Sequence, residues 1–181
     1  MTLLDSPIIS GLKLLKPKLF NDERGYFFES YNSETLNKLG INDDFLQDNQ
    51  SYSKKNVIRG LHFQVPPFAQ AKLVRVVKGA ALDVAVDLRK DSPTYAQYFS
   101  VLLSEENKLQ FYIPEGFAHG FAVLEDNTIF AYKCSNIYHK ESERTFLFND
   151  NDLNIDWQID NPIVSEKDTQ GIRFKDFITP F

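Results

Sequence analysis

Ala81-Leu82-Asp83-Val84-Ala85-Val86-Asp87-Leu88 alternates with a period of two. Leu82, Val84, Val86 and Leu88 share one face of an extended chain, and Asp83 and Asp87 share the other. The segment reads as a strand with unlike faces. On either side of it, apolar and aromatic runs recur between turn signals at residues 12–15, 26–31, 45–53, 58–64, 72–77, 95–103, 109–113, 120–123, 128–134 and 145–148. Short strands at this density predict an all-β sandwich or barrel rather than alternating βαβ units. One early helix is expected over residues 33–39, with Asn32 or Ser33 as its cap and Gly40 as its stop. No linker rich in Gly, Ser or Pro divides the chain, so residues 1–181 are read as one domain. Residues 161–181 look less regular.

Composition narrows the classes of function. The 16 Phe and eight Tyr suit the half-buried faces of strands. A formal charge of −5 argues against broad nucleic-acid binding, which needs a basic surface, so an anionic ligand must meet local positive charge. The one cysteine, Cys134, cannot close an intrachain disulfide and fits a reducing compartment. Residues 1–7 lack the basic region and apolar run of a signal peptide, and no stretch approaches the roughly 20 apolar residues that span a bilayer. A cytoplasmic location with no membrane partner is expected.

Three histidines are available for proton or metal chemistry. In Val57-Ile58-Arg59-Gly60-Leu61-His62-Phe63-Gln64, alternation sets His62 and Gln64 opposite Leu61 and Phe63. If the latter two face the hydrophobic layer, His62 points into the mouth or interior of a barrel, as a hydrogen-bonded structural residue or as a reactive one. His119 falls in Ile113-Pro114-Glu115-Gly116-Phe117-Ala118-His119-Gly120-Phe121, which reads as a turn between two apolar strands. Its P-x-G-x-x-H spacing resembles the second motif of cupins, small β-barrels whose motif histidine faces inward. His139, in a polar run, reads as a solvated loop residue. Many cupins hold a transition metal through an H-x-H pair, a downstream Glu and the second-motif histidine. Here His62-Phe63-Gln64 breaks the pair, and neither a catalytic metal nor another cofactor is expected.

Without a metal, a histidine with a reference pKa of about 6.5 can serve as general base. Removing a carbon-bound proton also requires stabilisation of the enolate. Lys72 shares a strand face with Val74 and Val76, as a cation with that task or as an edge-strand lysine that blocks aggregation. Tyr132 can pack in the core or deliver a proton from the side opposite the base.

Seven segments in this order resemble the dTDP-4-dehydrorhamnose 3,5-epimerases. They are Asp22-Glu23-Arg24-Gly25-Tyr26-Phe27-Phe28-Glu29, Gln47-Asp48-Asn49-Gln50-Ser51, Arg59-Gly60-Leu61-His62-Phe63-Gln64, Ala69-Gln70-Ala71-Lys72-Leu73-Val74-Arg75, Pro114-Glu115-Gly116-Phe117-Ala118-His119-Gly120-Phe121 and Ser165-Glu166-Lys167-Asp168, with Tyr132-Lys133-Cys134 between the last two. The resemblance implies a cupin-type double-stranded β-helix, a jelly-roll barrel with a few short helices. It implies C3 and C5 epimerisation of a nucleotide-linked 4-keto-6-deoxy sugar, serving cell-surface polysaccharide biosynthesis. It gives a His62–Asp168 base pair, Lys72 at the enolate oxygen and Tyr132 as proton donor. Arg24 and Arg59 are implied at the diphosphate or nearby sugar groups, and Glu29, Gln47, Asn49, His119, Tyr138 and Glu143 at the nucleotide and sugar pocket. It also implies a homodimer, with Arg24 or Glu29 serving the partner's pocket. The chain departs from the family pattern at Thr145-Phe146-Leu147-Phe148 and at Thr169-Gln170-Gly171-Ile172-Arg173. A GDP-linked or seven-carbon 4-keto sugar, epimerisation at C3 alone, and a non-catalytic sugar-nucleotide binding module are the alternatives.

Overall fold

The computed structural model describes residues 1–4 and 8–181; Asp5, Ser6 and Pro7, part of the opening read above for a leader, lie outside the described residues. In chain order the strands are β1 Thr2–Leu3, β2 Lys13–Lys16, β3 Phe20–Asp22, β4 Gly25–Phe27, β5 Gln47–Ser53, β6 Val57–Gln64, β7 Lys72–Lys78, β8 Ala80–Asp87, β9 Tyr98–Ser104, β10 Gln110–Ile113, β11 Phe117–Val123, β12 Thr128–Cys134, β13 Glu143–Thr145 and β14 Ile163–Val164. Helix α1 spans Ser33–Lys38 and α2 spans Glu166–Thr169. One sheet has the order β1-β2-β10-β7-β12-β5 and the other β13-β6-β11-β8-β9, with β14 added in parallel to β6. From β5 to β12 the chain passes back and forth between the two sheets, except at the β8–β9 hairpin within one of them, which is the jelly-roll barrel expected from the sequence.

Parity along β8 explains the layering. Ala81 and Ala85 face inward and pack with Val74, Val76, Phe111, Phe121 and Phe130 between the sheets. Leu82, Val84 and Val86 face outward, yet they too are buried, under Phe146, Leu153, Trp157 and Phe174 from the C-terminal part of the chain. The irregular tail is therefore the outer cover of one sheet. Helix α1 begins where the Asn32 side chain accepts from the Thr35 N–H at 3.0 Å, and its Leu36 joins a third cluster on the outer face of the other sheet.

Several strands are shorter or longer than their sequence patterns suggest, each for a local reason. Within residues 26–31 only the first part pairs, in a hairpin with β3 whose turn is closed by the Asp22 carboxylate accepting the Arg24 N–H. Residues 95–97 belong to a loop pinned on the buried Asp87 carboxylate, which accepts from Arg89, Ser92 and Thr94, so β9 starts at Tyr98. The turn at Pro114–Gly116 needs only one left-handed residue, Gly116, so β11 starts at Phe117 and His119 is a strand residue rather than a turn residue. The run at 145–148 leaves the sheet after Thr145, and Phe146 bridges to Ile172 instead.

One contact sets the register of the site-bearing sheet. Gly60 (φ +123°) lies against Gly120, where a Cβ on Gly60 would stand 2.5 Å from the Gly120 Cα. The β6–β11 pairing shifts at this point, from His119 opposite His62 to Phe121 opposite Arg59. Gly60→Ala forces the two backbones apart and is expected to destabilise the fold by about 1–3 kcal/mol, read as a lower midpoint in urea unfolding.

Candidate active site

The inward rows of the barrel change from apolar to polar at one level. Along β12 the row runs Phe130, Tyr132, Cys134; along β7 it runs Val76, Val74, Lys72; along β11 it runs Phe121, His119. The Phe121 ring lines a cavity of about 200 Å³ and is backed by the Phe130 ring, which stacks on it at 4.0 Å and 5°. Below it lies a filled core, and above it the barrel opens to solvent.

On one wall, His62 and His119 are cross-strand partners and share the cavity face. His62 Nε2 meets Asp168 Oδ1 at 2.5 Å. Asp168 is buried on α2, whose cap Ser165 accepts the Asp168 backbone N–H. Burial raises the Asp168 carboxyl, but the hydrogen bond and charge of His62, with Ser165 and the Gly60 N–H, outweigh it and hold the group below the usual carboxylate range. Because Nε2 is engaged by Asp168, Nδ1 is the ring atom left for the cavity. Leu61 and Phe63 lie in the outer cluster, as alternation required.

Tyr132 and Lys72 stand on the opposing wall. Burial pushes the Tyr132 phenol up, so it stays protonated at neutral pH. Lys72 sits on β7 between β10 and β12, which removes the reading as an edge-strand lysine. Its Nζ donates to the His62 carbonyl at 3.1 Å, across the two sheets. Burial pulls the ammonium down, and Cys134, Asp83 and Glu143 oppose that pull.

At the mouth, Arg59 lines the cavity and donates to Ser53 Oγ at 3.1 Å. Gln47 donates to Asn49 and accepts the Tyr138 N–H, and Asn49 donates to the Cys134 sulfur. The Tyr138 hydroxyl donates to Glu143 at 2.9 Å, and Lys167 pairs with the same carboxylate at 2.6 Å. Arg24 and Glu29 are not brought to this cavity: Arg24 is 85% exposed and paired with Asp22, and Glu29 accepts from Asn32. Their hairpin projects from the chain, with Phe27 69% exposed.

Sequence reasoning missed Asp83, Cys134 and Gln64. Asp83 was visible as a carboxylate on the inward face of an apolar strand, and it meets His119 Nε2 at 2.9 Å. Gln64, where a second cupin histidine would fall, donates to the Phe68 and Ile137 carbonyls and accepts the His139 N–H. His139 is a loop residue, as read, but only half-exposed: its ring stacks on Phe68 at 3.8 Å and its N–H donates to Gln64. Among the described residues no group of three or more His, Cys, Asp or Glu is placed to hold a metal ion.

The family model for dTDP-4-dehydrorhamnose 3,5-epimerase matches residues 7–176. This chain belongs to that family. The Shigella flexneri dTDP-4-dehydrorhamnose 3,5-epimerase is 50% identical over 169 residues, 93% of each chain. A crystal structure of the Elizabethkingia anophelis enzyme superposes with a TM-score of 0.92 at 50% identity, covering 97% of both chains. The Legionella pneumophila dTDP-6-deoxy-D-glucose-3,5-epimerase, solved in complex with dTDP-4-keto-L-rhamnose, superposes at 0.90 with 47% identity, covering 94% of this chain and 90% of that one. The two departures from the epimerase pattern lie against each other. Phe146 is fully buried in the outer cluster, and a Cβ on Gly171 would stand 2.5 Å from its backbone. They are matched packing behind β6 and do not line the cavity.

Removing the carboxylate in Asp168→Ala is expected to destabilise the protein by about 2 kcal/mol at pH 7, the scale of a charge-assisted hydrogen bond. The Asp168 pKa is depressed, so this contribution is present above the ordinary carboxylate range and is lost as pH falls through the folded value. Urea unfolding at pH 7 and pH 3 should therefore show the gap between wild type and variant narrowing at the lower pH.

Proposed function

We propose that this chain is a metal-free 3,5-epimerase of dTDP-linked 4-keto-6-deoxyglucose, serving cell-surface polysaccharide biosynthesis from the cytoplasm. The observation that carries the reading is a carboxylate-backed histidine and a half-buried phenol on opposing walls of one cavity. In this reading His62 Nδ1 takes the proton from C3 or C5, and Asp168 steadies the imidazolium through Nε2. The electron pair moves to the C4 oxygen, where the remaining N–H bonds of Lys72 stabilise the enolate. Tyr132 gives its proton to the opposite face of the carbon, which inverts the centre. The net transfer is one proton from Tyr132 to His62, and solvent at the open mouth resets both.

Arg59 suits the diphosphate through its planar guanidinium, with Gln47, Asn49, His119, Tyr138 and Glu143 around the sugar and nucleotide. Arg24 and Glu29 fit the second half of this reading, in which one epimerase domain over residues 1–181 pairs with a second copy and the projecting hairpin completes the partner's pocket. The exposed Phe20, Tyr26 and Phe27 on that hairpin support it. The relatives support a dTDP-linked substrate over a GDP-linked one, and the departures from the pattern lie away from the cavity. Among the described residues no helix is long and apolar enough to cross a membrane.

Incubation with dTDP-4-dehydro-6-deoxyglucose in heavy water should place deuterium at C3 and C5, counted by NMR. Label at C3 alone would establish the single-centre reaction, and binding without label would favour the non-catalytic module. His62→Ala should slow exchange by about 10²–10⁴-fold, the usual weight of a general base. Tyr132→Phe should allow exchange while impairing inversion.

A further inference from the structure

Below the His62–Asp168 pair lies a second, deeper charged cluster. Asp83 is the one charged residue facing inward in the middle of β8, and its side chain is fully buried. Both carboxylate oxygens meet the same atom, His119 Nε2, at 3.0 and 2.9 Å. With Nε2 taken, Nδ1 is the His119 ring atom left for the cavity that His119 lines. Lys72 reaches toward this cluster from the opposing sheet and spends one N–H on the His62 carbonyl. The charged or titratable groups around Lys72 are Cys134 from β12, Asp83 from β8, Glu143 from β13 and His119 from β11.

We infer that Asp83 is a positioning residue for the epimerase reaction: its carboxylate fixes His119 as the Nε2–H tautomer, so that Nδ1 accepts from a hydroxyl of the bound sugar, and it supplies the countercharge that keeps Lys72 an ammonium beside the C4 oxygen. The inference rests on the epimerase reading above. A buried cluster is least costly when its net charge is zero, and ammonium, carboxylate and neutral imidazole sum to zero. Burial lowers His119, Asp83 opposes it, and the nearby Lys72 and His62 add to the lowering, which prevails, so the neutral ring is favoured. Burial raises Asp83, while His119 and Lys72 restrain the rise. The contrast with the upper pair is one of exposure: the His62 side chain is 32% exposed, whereas that of His119 is 7% exposed. The same pair of residue types thus serves as a base above and as a fixed acceptor below.

The test has a substrate-free arm and a kinetic arm. Nitrogen-15 NMR of the wild-type protein should find His119 neutral and protonated on Nε2 from pH 6 to 8, with the Lys72 ammonium intact at pH 7. A Nδ1–H tautomer, an imidazolium or an uncharged Lys72 would overturn the assignment, and this arm needs no variant to fold. In the kinetic arm, deuterium exchange into dTDP-4-dehydro-6-deoxyglucose is followed against pH for wild type and Asp83→Asn. The variant should lose about a hundredfold in kcat, the scale of a misplaced reacting group, with KM little changed. Removing the countercharge should also move the alkaline limb of its profile to lower pH by roughly one to three units. A loss of activity with the limb unmoved would reduce Asp83 to packing and sink the proposal. No exchange in the wild type would instead refute the epimerase reading, leaving the NMR arm to judge the role of Asp83.

Discussion

The contact between Gly60 and Gly120 is the constraint on which the cavity depends. Strict alternation along β6 would send Arg59 and His62, three residues apart, to opposite faces of the sheet. The register shift at the glycine pair turns both toward the interior. It also sets His62 level with His119 and leaves Arg59 level with Phe121, so the two strands present two imidazoles and a guanidinium in one place. Only glycine allows backbones this close, and the Gly60 N–H also supports Asp168.

An acidic chain concentrates its useful cations here. Arg59 and Lys72 line the cavity and Lys167 stands at its mouth, each held by a carbonyl, a hydroxyl or a carboxylate. The electrostatics are local, and the overall charge of −5 says little about what the cavity can hold.

How much of this could be read in advance follows from range. The barrel class and the inward direction of His62 rest on period two, which is local, and both are found as expected. The Asn32 cap was equally local. What failed depended on partners distant in sequence. Asp83 reads as a polar strand face until His119, 36 residues on, is brought against it. The extent of β9 depends on Asp87 gathering Ser92 and Thr94, and the half-burial of His139 accompanies the hydrogen bond its N–H donates to Gln64, 75 residues away. Arg24 and Glu29 carried a resemblance but no geometric signal of their own, and a single chain leaves them outside the cavity.

Gln64 shows how much of a rim one amide can hold. Its nitrogen ties down two loops and its oxygen a third backbone group, and together these define the rim beside Tyr138. A histidine there would bring one ligand atom toward the cavity while releasing the Phe68 and Ile137 carbonyls and the His139 N–H. A histidine at this position would therefore not by itself make a metal site: the rim would have to be rebuilt before an ion could be held.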